Sequence, residues 1–323
     1  MKYSIVIPVY NSQDILSDLL SRLEAVMKVM AAQDQYQIIL VNDFSRDATW
    51  ERVLKIVATR PNIIALNLGK NYGEDNARMA GFNQAEGDII ITMDDDLQHN
   101  PSDIPALIAH MESQRADICF GRFPVKNQAV WKNLGSRFND LMARILLKKP
   151  PSLYLSTFIV FKKWVRDEII KYSGPFPYVQ GLLLSVSSRI TQLDVTHHPR
   201  LRGRGNYSLI KSLRLWLKVA TGFSIFPLRL ASYLGFITAS FSLIYGLYIL
   251  VEYLFFHRDI KGWASLFTII IFFGSIQLIL FGIIGEFLGR IYLNINRKPQ
   301  YTLSDCLYSR NLEHHPPFMR EHP

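Results

Sequence analysis

Cysteine is nearly absent: Cys119 and Cys306 are the only two in 323 residues, which excludes a disulfide framework and a cysteine-rich zinc site. Acidic residues are missing altogether between Asp194 and Glu252. No charge of either sign occurs over the 21 residues from Ala231 to Val251, or over the 24 from Gly262 to Gly285. No G-x-G-x-x-G follows a strand-like segment, so a nicotinamide-dependent dinucleotide fold is disfavoured. The chain passes from Met1 directly into strand-like residues with no basic-then-apolar leader, and secretion is not expected.

Each uncharged run exceeds the roughly 20 residues that cross a bilayer core, so two transmembrane helices are expected. The formal charge of +9 is concentrated ahead of them, with Arg200, Arg202, Arg204, Lys211, Arg214, Lys218 and Arg229 in the acid-free stretch. A positive-inside bias accounts for part of this, and anionic lipid headgroups or a lipid phosphate suit it too. Nucleic acid is not expected as a partner, because the basic stretch runs straight into a membrane helix. The connection between the spans carries Arg258 and Lys261 offset by Asp259, whereas Arg290, Arg297 and Lys298 follow the second span. Both flanks outweigh the connection, which puts the N-terminal part and the tail in the cytoplasm.

Residues 3–120 alternate between two periods. Strand-like segments at Tyr3–Val9, Gln37–Val41, Ile63–Leu68, Asp88–Met93 and Asp117–Gly121 are separated by helical stripes, the first through Leu16, Leu19, Leu20, Leu23 and Met27. Such alternation predicts an α/β fold, a mostly parallel sheet with helices on both faces. Ligands of these sheets bind at the carboxyl ends of the strands, where Tyr10, Asn11, Asp43, Gly73, Asp94–Asp96 and Arg122 fall. The expected organisation is a cytoplasmic α/β domain over 1–207, an amphipathic interface helix over 208–229, a two-helix transmembrane region over 230–289, and a cytoplasmic tail over 290–323 with a disordered end. Residues 122–206, less regular and punctuated by proline, are expected to form the acceptor side of the cleft.

Chemistry concentrates at Asp94-Asp95-Asp96-Leu97-Gln98, straight after a strand. Side chains alternate along a strand, so Asp94 and Asp96 share a face. Adjacent carboxylates repel unless a cation lies between them, and a hard divalent ion holding a diphosphate answers that need. A solvated loop is the plainer reading of the segment alone.

In this order the motifs resemble those of family 2 glycosyltransferases with the Rossmann-like GT-A fold. Within that family they are most similar to the polyisoprenyl-phosphate sugar transferases, the group of dolichyl-phosphate mannose synthase and the bactoprenol and formamido-arabinose enzymes. Ser4–Asn11 is similar to the opening strand and nucleotide loop. Val41-Asn42-Asp43-Phe44-Ser45-Arg46-Asp47 stands where the family has V-D-D-G-S-S-D, departing at Asn42 and Phe44, and Asn71-Tyr72-Gly73 matches N-[FY]-G. The resemblance implies that Pro8, Tyr10, Asn11, Asp43, Gly73, Asp94 and Asp95 hold the nucleotide sugar. It further implies that Asp94, Asp96 and Gln98 bind Mg²⁺ or Mn²⁺, with Asp94, Asp96 and Arg122 as catalytic residues. Lys132 with Ser136, and Arg200 with Tyr207 in an H-x-x-R-x-x-G-x-S-x-Y-S-like run, resemble the acceptor elements. Gly285–Tyr292 is similar to the exit from the second span in the bactoprenol and formamido-arabinose enzymes.

One departure carries a physical argument. Leu153 and Ile159 stand where the family has the acid and the arginine of D-x-x-S-G-[FY]-R. A phosphate monoester has a second pKa of about 6, so near neutral pH it is already an anionic nucleophile and has little use for a general base. It needs cations instead, and Arg122, Lys132, Arg200, Arg202 and Arg204 are the candidates. The expected function is therefore metal-dependent, inverting transfer from a UDP-sugar to undecaprenyl phosphate in the bacterial inner membrane, for surface polysaccharide or lipid A modification, by a possible homo-oligomer. The rivals are a non-catalytic membrane subunit that binds nucleotide sugar, and a glycosyltransferase acting on a lipid-linked saccharide hydroxyl.

Overall fold

The runs Tyr3–Val9 (β1) and Tyr36–Asn42 (β2) are buried along their whole length, as central strands covered on both faces must be. The computed structural model describes residues 2–31, 35–123, 144, 149–196, 226–256, 262–296 and 298–308. Beside these two strands lie β3 (Ile63–Leu68) and β4 (Ile89–Thr92), giving a parallel block ordered β4-β1-β2-β3.

The helices between the strands follow from their apolar spacing. α1 (Leu16–Met30) buries Leu16, Leu19, Leu20, Leu23 and Met27 on one stripe, and α2 (Thr49–Thr59) buries Val53 and Val57. α3 (Glu74–Gln84) starts after Gly73, whose φ of 90° favours glycine, and carries Glu74 and Asp75 in its first turn, where the helix dipole favours negative charge. Its Gly81 is where helix meets sheet most closely: a Cβ there would fall 2.3 Å from Val6 Cγ1 and 3.1 Å from Val41 Cγ2. A short 3₁₀ turn, Pro101–Asp103, leads into α4 (Ile104–Ser113); the Asn100 side chain caps the turn by accepting the Ser102 N–H.

The expectation of a mostly parallel sheet holds, with two antiparallel insertions that periodicity did not reveal. β5 (Ile118–Arg122) does not lie beside β4; β6 (Ile159–Lys162) runs antiparallel between them, and β7 (Ile190–Asp194) pairs parallel with β5 on the outside. The stretch read as irregular thus supplies two strands and two helices, α5 (Lys163–Ile169) and α6 (Val179–Val186). Asp117, 1% exposed, clamps this end by accepting from Lys162 Nζ at 3.0 Å, Ser187 Oγ at 3.0 Å and Arg189 Nε at 2.8 Å.

The chain divides into two compact units, residues 1–209 with 297–323, and residues 210–296. The second contains α7 (Phe226–Phe256) and α8 (Trp263–Ile295), in which Ala231–Ile249 and Ile269–Ile295 are long and apolar enough to cross a membrane. Their large apolar side chains, such as Phe236, Leu243, Leu278 and Phe281, are exposed, as lipid-facing residues would be. The amphipathic helix expected over 208–229 lies outside the described residues as far as 225. The tail expected over 290–323 contributes a strand to the sheet. Leu303–Tyr308 (β8) returns to the first unit and closes the sheet antiparallel to β3, giving the order β7-β5-β6-β4-β1-β2-β3-β8. Residues 309–323 lie outside the description.

Candidate active site

At the carboxyl ends of β1, β2 and β4 the chain turns sharply, and each turn contains a left-handed residue that is not glycine: Asn11 (φ 55°), Phe44 (φ 57°) and Leu97 (φ 60°). Such conformations are costly for L-residues and concentrate where a site fixes its backbone. Phe44 stands where the resembling family has glycine, and it keeps the left-handed geometry that glycine adopts easily. Between these turns opens a cavity of about 360 Å³ lined by Pro8, Val9, Tyr10, Asp43, Asn71, Gly73, Glu74 and Asp94–Asp96.

Asp43, 4% exposed, forms one wall. Its two carboxylate oxygens accept the consecutive backbone N–H groups of Tyr72 (2.7 Å) and Gly73 (2.9 Å), while Asn71 Nδ2 donates to its carbonyl at 3.2 Å. Burial raises this carboxyl above its ordinary range, against the two N–H groups, which favour the charge. A carboxylate offers about four lone-pair sites, so acceptor capacity remains for a ligand N–H.

The acidic triplet forms the opposite wall, and its members are held differently. Asp94 accepts from Arg78 Nη2 at 2.5 Å and from the Thr157 hydroxyl at 2.6 Å. Its backbone N–H goes to His99 Nδ1 at 3.0 Å, so the neutral ring carries its proton on Nε2, 3.8 Å from Asp94 Oδ2. The His99 ring lies nearly parallel between Phe123 and Phe158, with centroids 5.4 and 5.1 Å away. Burial alone would raise the Asp94 carboxyl, but the Arg78 guanidinium, with His99 and Thr157, outweighs it and holds the group well below the usual range. Asp95 pins the β1 loop by accepting the Tyr10 N–H at 3.1 Å and the Ser12 hydroxyl. Burial pushes its carboxyl up to about 6, against those two donors. Asp96 accepts the Gln98 N–H at 3.1 Å.

Of the residues expected at the site, Pro8, Tyr10, Asp43, Gly73, Asp94, Asp95 and Asp96 line the one cavity. Asn11 and Gln98 do not. Asn11 ties two loops instead, its N–H donating to Ser45 Oγ at 3.0 Å and its Oδ1 accepting the Arg46 N–H at 2.8 Å. Arg122, at the exposed end of β5, forms a forked pair with Asp194, its partner in the β5–β7 register. Leu153, at the position of the resembling family's acid, is 6% exposed. Lys132, Ser136, Arg200, Arg202, Arg204 and Tyr207 lie outside the described residues.

Sequence reading missed Arg78, Thr157, His99 and Ser12. Glu74 and Arg78 stand four apart in one helix, a spacing ordinarily read as a surface ion pair. Arg78 is in fact buried, 1% exposed, among Glu74, Asp75 and Asp94.

A divalent ion fits these residues. Asp94 and Asp96, which line the cavity, offer hard carboxylate oxygens that suit Mg²⁺ or Mn²⁺, whereas Gln98 is not among the lining residues. Among the described residues no three acidic, histidine or cysteine side chains converge as a complete metal cage.

Comparison with known proteins agrees with this geometry. The family model described as Glycosyl transferase family 2 matches residues 4–171. The chain is similar to undecaprenyl-phosphate 4-deoxy-4-formamido-L-arabinose transferase of Shewanella sediminis, at 30% identity over 94% of this chain and 92% of that one. It is similar also to the proteins of that name in Yersinia pestis (31% identity; 97% and 95% covered) and Pseudomonas fluorescens (31%; 95% and 91%). Among solved structures, glucosyl-3-phosphoglycerate synthase of Mycobacterium tuberculosis, in complex with Mn²⁺, UDP and glucosyl-3-phosphoglycerate, shares the fold. It matches with a TM-score of 0.50 at 13% identity, over 69% of this chain and 80% of that one.

Proposed function

This chain belongs to glycosyl transferase family 2, and from that premise we propose that it moves a sugar from a UDP-sugar to the phosphate of a membrane polyprenol, undecaprenyl phosphate. The observation that carries the reading is the cavity itself, about 360 Å³ and lined both by the buried Asp43 and by the acidic triplet. The relatives named for an undecaprenyl-phosphate transfer match nearly end to end and support the acceptor assignment. Two helices able to cross a membrane agree with a lipid acceptor. We place the protein in the bacterial inner membrane with the catalytic unit in the cytoplasm. The product, a lipid-phosphate monosaccharide, would serve surface polysaccharide or lipid A modification.

In this reading Asp43 accepts the imide N–H of uracil, and the Pro8–Tyr10 and Asn71–Gly73 turns enclose the nucleoside. Asp94 and Asp96, with Gln98, would hold Mg²⁺ or Mn²⁺, and such an ion would neutralise charge on the leaving diphosphate. Arg78 and Thr157 keep Asp94 ionised and oriented. An acceptor phosphate oxygen attacks the anomeric carbon as its bond to the diphosphate oxygen breaks. The electron pair leaves with UDP, and the sugar inverts. The monoester is already ionised, so no proton needs removing, and an apolar residue at 153 is compatible with turnover. Arg122, Lys132, Arg200, Arg202 and Arg204, with Ser136 and Tyr207, are proposed to receive the acceptor phosphate.

Calorimetric titration of the purified full chain with UDP tests the donor assignment. Binding in Mn²⁺ or Mg²⁺ that falls at least about tenfold in EDTA is expected, because the diphosphate would then face the acidic wall without a counter-charge. Equal affinity with and without the ion would remove the metal from the scheme.

A further inference from the structure

We infer that the segment following the second apolar helix is a working part of the donor site: Asp305 sets the hydrogen-bond direction of the loop that carries Asp43. The inference rests on the nucleotide reading of the cavity. Three strands place the residues side by side, since Asn42 of β2 is in register with Asn67 of β3, and Asn67 with Asp305 of β8. These positions form a polar row at the carboxyl edge of the sheet, next to the site.

Every donor in the row points the same way. Asn67 Nδ2 donates to Asp305 Oδ2 at 3.0 Å, and Asn42 Nδ2 donates to Asn67 Oδ1 at 2.7 Å. The Ser45 hydroxyl donates to Asn42 Oδ1 at 2.6 Å, and the Asn11 N–H donates to Ser45 Oγ at 3.0 Å. A carboxylate can only accept, so Asp305 obliges Asn67 to present its NH₂, and Asn67 must then offer its oxygen to Asn42. Asn42 consequently keeps its own oxygen for Ser45, which is brought back beneath it by the left-handed Phe44. Hydrogen bonds aligned in this way strengthen one another. The same returning segment reaches the other side of Asp43, where Thr302 Oγ1 lies 2.8 Å from the hydroxyl of Tyr72, whose N–H Asp43 accepts.

The row also explains why position 42 is an asparagine where the resembling family has aspartate. Asn42 is 2% exposed and must donate on one side while accepting on the other. A carboxylate there would have no N–H for Asn67. If Asn67 turned over to serve it, its oxygen would face the Asp305 carboxylate. The two acids are therefore alternatives, one permitted at either end of Asn67.

A charge swap tests this. Asn42→Asp should weaken UDP binding by about tenfold or more, since it sets a carboxylate at the buried position 42 against the acceptor oxygen of half-buried Asn67. Adding Asp305→Asn lets Asn67 turn over, so that its two bonds reverse and the Ser45 and Asn11 donors keep theirs. The double variant should bind UDP within about threefold of the wild type, a coupling that only interacting sites show. It retains the carboxylate at 42, so recovery cannot come from removing the charge that the single variant introduced, and Asp305→Asn alone, which leaves Asn67 free to turn either way, shows what loss of the 305 charge does by itself. Thermal melting of each chain accompanies the titrations. An Asn42→Asp protein that does not fold, beside a double variant that folds and binds, supports the inference equally. The inference is overturned if the single variant binds like the wild type, or if the double variant fails to improve on it in binding or folding. Failure of the wild type itself to bind UDP would instead sink the nucleotide reading.

Discussion

Asp96→Asn should lower the rate of sugar transfer by about a hundredfold to a thousandfold, the scale seen when one group that stabilises developing charge is removed. Asp96 lines the cavity and uses one oxygen to accept the Gln98 N–H. An amide keeps that acceptor through its own oxygen, so the loop stays capped and the melting temperature should hardly move. What disappears is a formal negative charge at the position proposed to hold a hard cation. The loss should therefore appear in kcat and in the metal concentration needed for half-maximal rate. The measurement is steady-state transfer across a range of Mg²⁺ and Mn²⁺ concentrations, with melting curves alongside. Near-normal turnover would refute the assignment of Asp96 to the metal.

Arg78→Met is expected to damage both stability and activity, and the combination distinguishes it from Asp96→Asn. Arg78 is the buried cation between Asp94 and the acidic first turn of α3. Methionine fills much of the volume but leaves Asp94 charged beside Glu74 and Asp75. Breaking a buried pair in this way costs about 3 kcal/mol, and in a domain of this size that corresponds to a fall of roughly 6–12 °C in Tm. Transfer should fall as well, because Asp94, which lines the cavity, loses the guanidinium that fixes its orientation. Arg78→Lys keeps a charge but not the fork, and should fall between wild type and Arg78→Met. An Arg78→Met protein with unchanged melting would show that the surrounding acids carry no charge in the folded protein.

The sequence was informative where the physics is local. Alternating periods located β1 to β5 and α1 to α4, with a regular buried stripe plainest in α1, and strand ends located six residues of the cavity because parallel sheets bind ligands there, Pro8 coming from the resemblance. The uncharged runs marked the two apolar helices by length alone. What escaped depends on distant parts of the chain. β6 and β7 are short and sit among prolines, with no long stripe to betray them. β8 pairs with β3 across more than two hundred residues of sequence, so the partnership of Asp305 with Asn67 leaves no local trace. Arg78 was hidden for another reason: its spacing from Glu74 is the pattern of a solvated ion pair, and only the fold shows that it faces Asp94. Strand alternation was the wrong guide to Asp94–Asp96, because β4 ends at Thr92 and the triplet lies in the turn beyond it, where Asp95 pins the β1 loop.

The central claim is that this chain itself joins a nucleotide-activated sugar to a phosphate that needs no base. The direct measurement is incubation of the purified protein with radiolabelled UDP-sugars, Mn²⁺ and undecaprenyl phosphate, followed by extraction into organic solvent. The account predicts a labelled, acid-labile lipid phosphate formed from at least one donor, and no label transferred to the corresponding undecaprenol. Label transferred to the alcohol as readily as to the phosphate, or no labelled lipid from any donor in a broad panel, would contradict it.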